Sequence, residues 1–118
     1  MKKADVELYD KLLGQLMTMK TQFEALSKKK PNDVVNEFKI ELVNILLVDI
    51  NGLIGDYKPF PDFDQFENSP KVFNSDVLLI LAHYLTAMSR FKGANITVEK
   101  SPINTDWMDT IETWNTED

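Results

Sequence analysis

Between Ile40 and Ile54, apolar side chains would cover most of a helix's circumference, leaving a narrow polar stripe of Glu37, Glu41, Asn44 and Asn51. A helix apolar nearly all round belongs at the centre of a packed domain. The segment therefore demands other elements around it. Asn32 or Asp33, either a competent N-cap, sets its start, and Gly52 and Gly55 mark its fraying end. The expected span is about 32–54.

Two further helices are legible. In the first, over about 4–29, Tyr9, Leu12, Leu16, Met19, Phe23 and Leu26 follow the alternating three-four spacing of a heptad seam. Lys28, Lys29 and Lys30 place cations where the helix dipole favours them, and Pro31 stops the helix. The third runs over about 75–92, capped by Asn74 or Ser75 and ended by Gly93, with Val77, Leu78, Leu81, Leu85, Met88 and Phe91 toward the core. Residues 56–73 join the second helix to the third. Their prolines forbid a continuous helix, and Phe60, Phe63 and Phe66 recur among Asp56, Asp62, Asp64 and Glu67. Asn95 to Val98 suits a short extended stretch. From Thr105 or Asp106, Trp107, Met108, Ile111 and Trp114 share one side of a short C-terminal helix. The fold class expected is all-α, a bundle of three main helices with an aromatic-acidic connection.

At 118 residues the chain is expected to form one helical bundle domain (1–98) with an acidic tail (99–118). The net charge of −6 is unevenly spread. Residues 1–98 hold 12 Lys/Arg against 13 Asp/Glu, whereas the tail holds Lys100 against six carboxylates. A neutral body with an acidic tail argues against direct nucleic acid binding, which needs clustered cations. Asp5, Glu7 and Asp10 interrupt the apolar stretch that a signal peptide would need after Lys2-Lys3. The longest apolar run, Val77 to Ala82, is far short of a membrane span. A cytoplasmic location and no membrane partner are expected.

The catalytic inventory is thin. The absence of cysteine removes thiolate zinc sites and cysteine nucleophiles. His83 stands alone on the polar side of the third helix and reads as a surface residue. Asp33, Glu37 and Glu41, spaced by four, could hold a hard cation, but no Glu-x-x-His motif accompanies them and a solvated stripe is the simpler account. Asp49 lies off the polar stripe. If buried, it needs a partner such as Lys20, Tyr9 or Tyr84; otherwise it marks an exposed helix edge. No glycine-rich phosphate loop or cofactor motif is present, and Lys28-Lys29-Lys30 reads as a solvated turn. The chain is not expected to be an enzyme or to carry a cofactor or metal.

Two regions point to interaction. In the tail, Asp106, Trp107, Met108, Asp109, Ile111, Glu112 and Trp114 interleave acids with groove-anchoring side chains. This segment either packs back on the bundle, docks on a partner or stays disordered. In the connection, Phe60, Phe63 and Phe66 either plug one end of the bundle or present an aromatic site. The expectation is a small non-enzymatic interaction module (an adaptor, inhibitor or immunity-type protein) that binds a protein with a basic surface. In outline, a small acidic helical bundle with an appended segment is similar to some bacteriocin immunity proteins and phage-encoded inhibitors. A homodimer built on the seam of the first helix, working as an assembly subunit, is the alternative, and a carboxylate-metal enzyme is the remote one.

Overall fold

The computed structural model describes residues 1–67, 70–100 and 110–117. Three helices carry most of the chain: α1 (Lys3–Lys29), α2 (Glu37–Ile54) and α3 (Asn74–Ala94). α1 follows its heptad seam, with Tyr9, Leu12, Leu16 and Phe23 buried and Met19 and Leu26 half-buried against them. Asp5 accepts the backbone N–H of Lys2 at 2.9 Å and so satisfies one free donor at the helix start. α1 packs most extensively on α3 and also lies along α2. The seam of α1 is thus buried in the chain's own core.

α2 begins at Glu37, not at residue 32. Asn36 is its N-cap, its side-chain oxygen accepting from Lys39 N at 2.9 Å. Residues 31–35 serve another purpose. Val34 forms an antiparallel bridge with Phe73, and Val35 N donates to Val72 O at 2.8 Å. Asn74 completes this clasp. Its amide nitrogen Nδ2 donates to Lys30 O at 2.9 Å and its backbone N to Asp33 O at 3.0 Å, while Ser75 N donates to Pro31 O at 3.1 Å. Asn74 is therefore a buried crosslink and not the cap of α3. The first turn of α3 is held by Asp76, whose carboxylate accepts from Phe73 N at 2.8 Å. Gly93 does not end α3, which runs to Ala94.

The C-terminal segment overturns the all-α expectation. β1 (Ile96–Lys100) and β2 (Thr110–Trp114) form an antiparallel pair in which Ile96 faces Trp114 and Lys100 faces Thr110. The spacing of Ile111 and Trp114 also suits a helix. However, Thr110, Ile111, Thr113 and Trp114 are β-branched or aromatic, and they have an extended partner in Ile96–Lys100. A boundary at residue 98 cuts through β1. The molecule is mostly helical with a small hairpin. Trp107, Met108, Asp106 and Asp109 lie outside the described residues.

The centre of the core is formed by Leu12 and Leu16 of α1, Leu47 and Ile50 of α2, and Leu81 and Met88 of α3, all fully buried. Two phenols are fixed within it: Tyr9 donates to Met88 O at 3.2 Å and Tyr84 donates to Asn51 Oδ1 at 2.8 Å. Among the described residues no buried side-chain polar atom lacks a hydrogen-bond partner. Nor, among them, is any helix long and apolar enough to cross a membrane.

Candidate interaction surface

The phenylalanines of the connection are engaged within the chain. Phe60, Phe63 and Phe66 form a ladder of edge-to-face contacts, 6.4 Å and 5.2 Å between successive ring centroids, and Phe60 meets the ring of His83 at 5.0 Å. Phe63 and Phe66 are half-buried against the core. Two α2 amides hold the loop in place. Asn44 makes a pair of hydrogen bonds to the backbone of Phe66, and Asn51 Nδ2 donates to Asp64 O at 3.1 Å. Lys58 pairs with Asp64. With the rings turned inward, Asp56, Asp62 and Glu67 remain exposed at the loop's outer edge.

The hairpin likewise folds back. Trp114 is half-buried, its ring meeting Tyr9 edge-on at 4.9 Å, with the Lys92 ammonium 5.8 Å from the Trp114 ring centre. Glu112 pairs with Lys92 at 3.2 Å. Ile111 stays exposed.

The surface that sequence reasoning missed lies on α2, the helix expected at the centre. Phe38, Leu42, Ile45 and Val48 are 67%, 43%, 60% and 49% exposed. At helical spacing these four form one stripe about 15 Å long. α2 has apolar residues over most of its circumference, but among the described residues it packs mainly on α1, meets α3 and the Gly55–Tyr57 turn more narrowly, and holds the 60–67 loop through Asn44 and Asn51. These contacts leave the Phe38–Val48 side exposed. The breadth of the apolar arc is visible in the sequence, but not which part of it stays uncovered.

The stripe is bordered by grooves on both flanks. On the α1 flank, a groove of about 580 Å³ is lined by Phe23, Ala25, Leu26, Phe38 and Leu42, with Lys29 and Lys39 at its end. It continues into a second groove of about 590 Å³ past Gly14, Thr18, Leu42 and Ile45. A side chain at Gly14 would meet no atom within 4 Å, so the α1 wall is low there. On the loop flank, a third groove of about 550 Å³ joins Ile45, Val48 and Phe66 to Glu41, Asp49 and Glu67. Asp49 is exposed, not buried, and belongs to this edge. Among the described residues Glu41, Asp49 and Glu67 have no ion-pair partner.

Among the described residues no three histidine or carboxylate side chains lie close enough to hold a metal ion; Asp33, Glu37 and Glu41 are all exposed. Burial raises the pKa of the Tyr9 and Tyr84 phenols, both of them buried in the core. No protein-family model, curated protein sequence or solved structure matches the chain.

Proposed function

We propose that the protein is a small non-enzymatic interaction module, of adaptor, inhibitor or immunity type, that binds a protein partner with a basic surface. One observation carries the reading: four large apolar side chains of α2 stand in a row at the surface, beside three carboxylates with no ion-pair partner among the described residues. Isolated apolar residues on a surface need no explanation, but a contiguous row rimmed by charge is the form of a docking face. The acids speed encounter with a cationic partner and reject an anionic one.

The reading differs in location from an aromatic-acidic loop and tail. Phe63, Phe66 and Trp114 pack against the core and Phe60 against Phe63 and His83, while Glu67 contributes its charge to the α2 flank. The test is affinity capture from the native host with the full chain and with Ile45→Asp. Ile45 is exposed, so the variant keeps its fold, checked by an unchanged melting curve. A partner retained by the wild type and lost by the variant supports the reading. Identical recovery by both, or by neither, removes it.

A further inference from the structure

We infer that the occupant of the α2 face is an amphipathic α-helix of a partner protein, carrying Lys or Arg along one edge of its apolar stripe. This rests on the interaction reading above and specifies its partner. The shape of the site supplies the first argument. α1 and α2 leave a lengthwise groove between them, walled by Gly14, Thr18 and Ala25 on one side and by Phe38, Leu42 and Ile45 on the other. Straight grooves between adjacent helices accept another helix, because ridges of side chains fit the hollows between them. A helix seated there would give α2 the neighbour it lacks, as a fourth helix does in a bundle. The exposed stripe spans about three turns, so the bound helix presents apolar residues at i, i+4 and i+7.

Charge supplies the second argument and chooses among occupants. Glu41 and Glu67 lie along the loop flank of the stripe, and Asp49, one turn beyond Ile45, closes its end; none has a cation to neutralise it among the described residues. A bound helix with cationic side chains along that flank and at that end would meet all three. A second copy of this chain does not fit so well: its own α2 flank is acidic and its net charge is −6, so pairing two α2 faces sets carboxylates near carboxylates. The same acids oppose an anionic bilayer. At the far end of the groove, Lys29 and Lys39 suit the carbonyl end of the bound helix.

The experiment selects peptides of about three to four turns from a displayed random library on the immobilised full chain, with removal of those that also bind Ile45→Asp. One enriched peptide is then measured by fluorescence anisotropy against the wild type, Glu41→Lys and Asp49→Lys, and the chain's mass in solution is followed with concentration. Enriched sequences with apolar residues at i, i+4 and i+7 and a basic edge are expected. Each charge reversal should weaken the selected peptide about tenfold, and circular dichroism should show it gaining helix when bound. Enrichment of acidic, proline-rich or extended sequences overturns the inference, as does insensitivity to both reversals. A concentration-dependent dimer that Ile45→Asp abolishes also overturns it in favour of a second copy, while leaving α2 as an interaction face. No enrichment at all, together with partner capture that ignores Ile45→Asp, removes the interaction reading as well.

Discussion

The side-chain amide of Asn44 makes two hydrogen bonds to the backbone of Phe66: its Nδ2 donates to Phe66 O at 2.9 Å and its Oδ1 accepts from Phe66 N at 2.8 Å. A single α2 residue thereby takes the place of a strand neighbour for a loop that has no regular structure of its own. Asn44→Ala leaves both half-buried backbone groups to find water. The expected loss is about 1–3 kcal/mol, read from the urea midpoint. Asn44→Asp keeps the acceptor but places a carboxylate against the Phe66 carbonyl, so it should recover little of the loss.

Alkaline pH should destabilise the fold through its two buried phenols. Burial raises the pKa of Tyr84 above the ordinary 10.0, and the Asp64 charge adds to the rise. Tyr9 is raised by burial and then by the Asp10 charge. Between the unfolded and folded values, the folded chain keeps protons that the unfolded chain has released. The contribution is therefore complete below about pH 10 and is lost as pH climbs through the raised folded values. Urea midpoints should fall above pH 10. In the Tyr9→Phe, Tyr84→Phe double variant they should fall less steeply from its own lower starting point.

Neighbouring residues on α2 should respond in opposite ways. Leu47 is fully buried and Val48 is about half exposed. Leu47→Ala removes core volume and is expected to cost about 2–5 kcal/mol. Val48→Ala in the isolated chain should lie within about 0.5 kcal/mol of the wild type. Comparable losses at both positions, measured by chemical denaturation, would contradict an open outer face.

Trp114 ties the hairpin to the helices. Trp114→Ala deletes the edge contact with Tyr9 and the Lys92 ammonium's contact with the ring. The expected cost is about 1–2 kcal/mol, and Trp114→Phe should restore part of it. A melting temperature unmoved by Trp114→Ala would show that the hairpin contributes nothing to the fold.

The helices were legible because their signals are local: the seam from Tyr9 to Leu26, the lysines before Pro31, and the apolar side of α3. What the sequence did not reveal depended on distant partners. Asn32 and Asp33 are good caps in isolation, but residues 31–35 are claimed by Val72, Phe73 and Asn74 from across the fold. Ile111 and Trp114 satisfy a helical period as well as a strand's, and only the presence of Ile96–Lys100 decides between them. The candidate site was hidden by the same cause in reverse. The breadth of apolar residues from Phe38 to Val48 was visible, but an apolar helix looks identical in sequence whether its last face is buried or open.

The clasp at Asn74 has a mechanical consequence. It latches the end of α1 to the start of α3, while Trp114 against Tyr9 and the 2.9 Å bond from Glu117 N to Met1 O latch the opposite end. α1 and α3 thus form a frame fastened at both extremities. α2 leans on that frame from one side only, steadied by the loop that Asn44 and Asn51 grip. Breathing is expected to concentrate in α2 and its loop, so amide protons at mid-α1 and mid-α3 should outlast those of α2 in hydrogen exchange. On that expectation, the exposed stripe belongs to the helix with the least fastened ends, and any occupant of it would stiffen α2.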